Sequence, residues 1–258
     1  MTIDQLEKDL WSYYIQSNPK IQAVIDLIGS DHLNDHIAFR TIKYKKFSVS
    51  EFKKIFFSLG YEEKDSYYFE DKKIDAIHLE KDNAPKIFLS ELLIDEFSSE
   101  SQVIIKNTLD QLTFFPSDVS ILTKGAPWDK SHKDYLTLTK ESQYAAWVYT
   151  RGFCPNHFTI NLNSLEKFHS LEELNSFLKS HNILINDSGG EVKGSPKRFL
   201  EQSSTKSFKS EVLFFDEAFE VPNCYIEFIK RYKMSDGKIF NGFLTSSANN
   251  IFESTNIK

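Results

Sequence analysis

The 258-residue chain has only two cysteines, Cys154 and Cys224. They can pair in principle, but so few in a chain this long favour a reduced, cytoplasmic setting over a disulfide scaffold. No apolar run approaches the roughly 20 residues that a membrane span needs. The amino terminus, Met1-Thr-Ile-Asp-Gln-Leu-Glu-Lys, is polar and unlike a signal peptide. No long basic stripe offsets the formal net charge of −6 and the pI near 5.7, which disfavours a nucleic-acid partner. Gly189-Gly190 is a turn signal, not a phosphate loop, because neither a Walker nor a dinucleotide-binding glycine pattern follows it. Ser203, Ser204 and Thr205 lack the context of a nucleophile elbow, and neither cysteine sits in a Cys-x-x-Cys pair. A hydrolase triad therefore has no support.

What is present is a folded chain: 40% hydrophobic, 14% aromatic, with 23 Phe, and long enough for a substantial core. Residues 1–30 predict helices. Thr2 with Gln5 has capping-box spacing, and Pro19 to Gly29 brackets a stripe of Ile21, Val24, Ile25 and Ile28. Residues 35–97 then spell strand, helix (Ser48 to Gly60) and three strands at 67–69, 74–79 and 87–93. Helices are expected over 101–113 and 131–150 within a connection covering 98–152. The spelling recurs in 153–258: strand 156–162, helix from Ser170, and strands near 183–186, 212–215 and 224–232, with 187–211 as a Gly/Ser/Lys-rich loop. The fold class is α+β: two β-α-β-β-β-like modules forming one curved mixed sheet with flanking helices, in a single domain with a site in the concavity.

Three strands share a pattern. In 35–41, His36, Ala38 and Arg40 lie on one face and Ile37 and Phe39 on the other. In 157–163, His157, Thr159, Asn161 and Asn163 share a face, and in 224–231 so do Tyr225, Glu227, Ile229 and Arg231. Two imidazoles and one carboxylate, each on the wetter side of its strand, are the ligand set of a 2-His-1-carboxylate iron site. The bland alternatives are a Glu227–Arg231 ion pair along one strand and an Arg40–Asp35 pair. No local motif ties the three ligands together. His32, His78, His132, His169 and His181 read as bystanders, and Trp147 and Tyr149 as core.

Six segments carry a family resemblance: His36-Ile-Ala-Phe-Arg40-Thr, Pro155-Asn-His157-Phe-Thr, Leu200-Glu-Gln202-Ser-Ser-Thr205, Tyr225-Ile-Glu227-Phe-Ile-Lys-Arg231, Asp236-Gly237 with Gly242-Phe243, and Ile251-Phe-Glu-Ser-Thr255. In this order they resemble the motifs of the 2-oxoadipate dioxygenase/decarboxylase (hydroxyglutarate synthase) family, across nearly the whole chain. The resemblance implies a fold similar to the vicinal-oxygen-chelate metalloenzymes and Fe(II) held by His36, His157 and Glu227. Arg40 would bind substrate, with Gln202, Ser203 and Ser204 as further pocket candidates. Three protein ligands leave three positions on an octahedral iron, two for a 2-oxo acid and one for O2. The implied reaction is oxidative decarboxylation of 2-oxoadipate to 2-hydroxyglutarate and CO2. Better-known members are longer and carry extra segments that close the pocket, which this chain lacks. Two other classes stay open: a glyoxalase-like isomerase or extradiol-type dioxygenase on the same scaffold, and a binding module stapled by a metal.

Overall fold

The structure, a computed structural model, describes residues 2–29, 33–112, 119–215 and 217–244. His32 and the Ile251–Thr255 segment lie outside the described residues. Leu6, Leu10 and Tyr14 bury one stripe of α1 (Ile3–Ser17), whose N-cap Thr2 accepts the Gln5 amide. The Gln5 side chain reaches forward to Asp9 instead of back to Thr2, so half of the expected capping box forms. α2 (Lys20–Ile28) buries the predicted apolar stripe and stops at Gly29, whose positive φ suits glycine.

The first module is β1 (Asn34–Ile42), α3 (Val49–Phe57), β2 (Glu62–Phe69), β3 (Ile74–Glu80) and β4 (Lys86–Leu92). The connection holds α4 (Ser99–Asp110), α5 (His132–Glu141) and α6 (Gln143–Arg151). The second module is β5 (Pro155–Asn161), α7 (Leu171–Ser180), β6 (Lys193–Ser195), β7 (Leu200–Ser204) and β10 (Tyr225–Arg231), with a separate hairpin of β8 (Lys209–Leu213) and β9 (Ala218–Pro222) inserted before β10.

The eight strands of the main sheet run in the order β2-β3-β4-β1-β5-β10-β7-β6. In each module the first strand pairs parallel with the last, and the two first strands pair antiparallel at the centre. The halves are thus related by a pseudo-twofold axis between β1 and β5. It superposes His36 on His157, because the pairs His36↔Thr159 and Ala38↔His157 exchange under that rotation. Both crossover helices cover the outer face: Phe56 of α3 meets Phe39, and Asn175 of α7 accepts from Ser203. Trp11 and Tyr14 of α1 pack on Phe158, directly behind His157.

Several expectations are corrected. The helix expected over 131–150 is two helices, because Ser142 is extended (φ −151°, ψ 110°) and caps α6 through the Ala145 amide. The loop expected over 187–211 contains β6 and β7, two main-sheet strands. Of the strand near 183–186 only an isolated bridge at Ile185 exists, and the strand near 212–215 belongs to the hairpin. The strand expected over 67–69 begins at Glu62, on an exposed charged edge that discourages pairing with another chain. The faces read as wetter are buried: β1, β5 and β10 are covered on both sides.

Candidate metal centre

Strict alternation would turn Asp35 and Asn156 away from the histidines that follow them. Two register shifts prevent this. Asn34↔Ile160 is followed by His36↔Thr159, leaving Asp35 as an extra residue in β1, and Ala38↔His157 is followed by Phe39↔Pro155, leaving Asn156 extra in β5. These are β-bulges at positions related by the pseudo-twofold, and each re-aims the residue before a histidine. Asp35 Oδ1 lies 2.9 Å from His36 Nδ1, and Asn156 Oδ1 lies 3.1 Å from His157 Nδ1. Both oxygens can only accept, so each Nδ1 carries the proton and each Nε2 lone pair is free for a metal.

The Nε2 atoms of His36 and His157 and an oxygen of Glu227 lie within 4.8 Å of one another. Glu227 Oε2 is 3.0 Å from His157 Nε2 and 3.9 Å from His36 Nε2. All three residues are buried, and Glu227 is only 1% exposed. Burial pushes the His157 imidazole towards its neutral form. Burial also disfavours the Glu227 carboxylate, but the polar contact of His157, the nearby His36 and the Gln202 amide outweigh it and hold its pKa below the ordinary value. Neutral imidazoles and an ionised carboxylate are the forms that bind metals. Gln202 Nε2 donates to Glu227 Oε1 at 2.6 Å and fixes the carboxylate plane. The Thr159 hydroxyl sits 3.0 Å from His36 Nε2. This group is able to hold a metal ion.

The donors open into a small cavity lined by β1, β4, β5, β7 and β10 and by Phe243. A flat sheet would hold β4 and β7, four strands apart, about 19 Å from each other at the usual spacing, so the sheet must curl to bring them around one cavity. A roomier groove lies at the outer end of β1 and β3 but contains no part of the donor group.

Arg40 lines the cavity and is 2% exposed, with its guanidinium 4.9 Å from the Tyr144 ring centroid and 5.3 Å from that of Trp147. Trp147 and Tyr149 are core, as expected, although Trp147 also supports this cation. Tyr225 stacks on His157, centroids 4.6 Å apart, and its carbonyl accepts from Tyr14. Gln202 Oε1 is buried and has no hydrogen-bond partner among the described residues. In the first module, the position related to Glu227 is Phe88, since Ala38↔Phe88 corresponds to Thr159↔Glu227. Where a fourth donor would stand there is an aromatic ring.

The structure thus brings together His36, His157, Glu227, Arg40 and Gln202. Ser203 turns to the outer face and donates to Asn175, while Ser204 faces Asn186. Arg231 pairs with Asp35, not with Glu227, and Arg40 does not take Asp35. His78 is buried against Tyr67 and Phe243 but adds no donor to the group. Sequence reasoning missed Asp35, Asn156, Phe88 and Phe243. The signal for the first two was an Asp or Asn immediately before each strand histidine.

A profile of the 2-oxoadipate dioxygenase/decarboxylase family matches residues 7–126 and 118–237. The 2-oxoadipate dioxygenase/decarboxylase of Oryza sativa is 30% identical over 274 residues, covering 94% of this chain and 75% of the rice protein. The crystal structure of the Oryza sativa hydroxyglutarate synthase in complex with 2-oxoadipate is 29% identical, with a TM-score of 0.89 over 97% of this chain and 91% of that one. A Shewanella frigidimarina structure described as a hydrolase is 40% identical, with a TM-score of 0.86 over 94% of this chain and 98% of that one. A glyoxalase-superfamily protein of Ralstonia eutropha, 20% identical with a TM-score of 0.75 over 92% of this chain and 84% of that one, shares the fold.

Proposed function

The chain belongs to the 2-oxoadipate dioxygenase/decarboxylase family, and from that premise we propose that it binds Fe(II) at His36, His157 and Glu227 and oxidatively decarboxylates a 2-oxo dicarboxylic acid. The substrate that fits best is 2-oxoadipate, giving 2-hydroxyglutarate and CO2. The observation that carries the reading is a buried three-donor group sharing one cavity with a buried guanidinium. The iron would supply O2 binding and activation. As C1 leaves as CO2 with its own two oxygens, one atom of O2 would enter the carboxylate formed at the former ketone carbon and the other would become the hydroxyl on the carbon next to it, so no external reductant is needed.

The chain's own residues supply orientation and dryness. Arg40, four residues beyond His36 on β1, offers a forked cation to the distal carboxylate of the substrate. Tyr144 and Trp147 hold that fork from behind. Gln202 orients Glu227 through Nε2, and its Oε1 is an acceptor matched to the product hydroxyl. Phe88 and Phe243 keep bulk water from the donors. A metal staple with four protein donors is a poor fit, because Phe88 stands in the fourth place. Cys154 and Cys224 are free and buried, which suits a reducing compartment such as the cytoplasm.

Substrate selection tests the assignment of Arg40. The wild type should prefer 2-oxoadipate over 2-oxohexanoate, which lacks the distal carboxylate, and Arg40→Lys should raise KM for 2-oxoadipate by on the order of 10-fold or more as the bidentate pair is lost. An Arg40→Lys enzyme with unchanged KM and unchanged preference contradicts that role.

A further inference from the structure

Arg231 lies on β10, four residues beyond Glu227, and does not line the cavity. Its Nε and Nη2 grip Asp35 at 2.6 and 2.8 Å, both partners being buried. Asp35 in turn holds His36 Nδ1. The remaining arm of the guanidinium points elsewhere: Nη1 donates to the carbonyls of Phe240 at 3.0 Å and Gly242 at 2.9 Å. The next residue, Phe243, stands edge-on to His36 with centroids 4.8 Å apart, touches Phe88 and His78, and lies 5.5 Å from the Arg231 guanidinium carbon. One side chain therefore anchors both the orienting partner of a metal donor and the segment that walls the cavity.

We infer that Arg231 is a positioning residue that couples the seating of segment 240–243 over the cavity to the orientation of His36. The inference rests on reading His36, His157 and Glu227 as the metal group. The fork geometry is what allows the coupling: a guanidinium can serve two directions at once in one plane, whereas an ammonium is a single point of charge. With the segment seated, Nη1 is satisfied and the fork stays in register with Asp35. With the segment lifted, Nη1 loses two acceptors and the fork is free to turn, taking Asp35 and the His36 ring with it. Linkage makes the coupling reciprocal, so metal binding must also tighten the segment.

The test follows Co(II) affinity by chelator competition together with hydrogen exchange of residues 239–243, with and without metal. In the wild type, Co(II) should slow exchange in that segment. Arg231→Lys and, independently, Asp35→Asn should weaken Co(II) binding by about 10- to 100-fold, and in both the slowing by metal should vanish. Arg231→Lys that loosens the segment but binds Co(II) like the wild type makes the arginine a mere tether and overturns the inference. A wild type that binds no Co(II) overturns the metal reading itself and the inference with it. His157→Ala, remote from Arg231, should lose Co(II) while its segment exchanges like that of the metal-free wild type.

Discussion

In the first module β1 places His36 on the concave face after the Asp35 bulge, and in the second β5 places His157 there after the Asn156 bulge. There the likeness ends. On the last strand of each module the related positions carry Phe88 and Glu227. The residue holding the histidine is a carboxylate anchored by Arg231 in one module and a neutral amide in the other. A symmetric pair of modules would present two histidines and two carboxylates, a filled set. Replacing one carboxylate by a ring leaves three donors and an open, water-poor side. The asymmetry, more than the shared scaffold, is what would turn a duplication able to hold a metal into a place for chemistry.

Restoring the symmetry is the severest way to break this account. Phe88→Glu should still bind metal, at least as tightly as the wild type, while turnover falls by on the order of 100-fold or more because a position needed by substrate or O2 is filled; unchanged turnover contradicts the role given to Phe88. Glu227→Phe, which makes both modules alike in the other sense, should lose metal binding in the same titration. A smaller effect separates the two bulges. Asp35→Ala and Asn156→Ala should each weaken metal binding, by about 10- to 100-fold, with the larger loss for Asp35, whose bond to the imidazole is charge-assisted. Equal losses would mean that the carboxylate and the amide hold their histidines equally well. The smallest effect is expected on the outer face. Ser203→Ala removes a buried hydrogen bond to Asn175 and should cost about 1 kcal/mol in urea unfolding, with kcat/KM untouched. A fall in activity would put Ser203 back among the site residues.

Much of this architecture was legible because β1, β5 and β10 alternate cleanly and α1, α2, α3 and α7 carry apolar stripes between recognisable caps. His36, Arg40, His157 and Glu227 could be placed on the correct faces by counting in twos. What could not be counted were the bulges: one inserted residue leaves the hydrophobic pattern on either side intact and shows only in pairing with another strand. β6 and β7 were hidden for a related reason. They are three and five residues long, polar, and held by their ladders to each other and to β10 rather than by any local preference. That is also why Gln202 looked like a loop residue. Ser142 was read through because the helical stripe resumes directly after it, and the Arg231–Asp35 pair spans 196 residues with no local trace. Phe88 carried no signal at all until the pseudo-twofold matched it with Glu227.

The central claim is that three donors on an asymmetric pair of modules support oxidative decarboxylation, and oxygen consumption tests it most directly. Anaerobically Fe(II)-loaded protein is mixed with 2-oxoadipate and O2, and oxygen, CO2 and the organic product are followed together. The account predicts one CO2 and one 2-hydroxyglutarate for each O2 consumed, with all three lost in His157→Ala. Iron bound tightly by the wild type, with neither O2 uptake nor CO2 release, would contradict it.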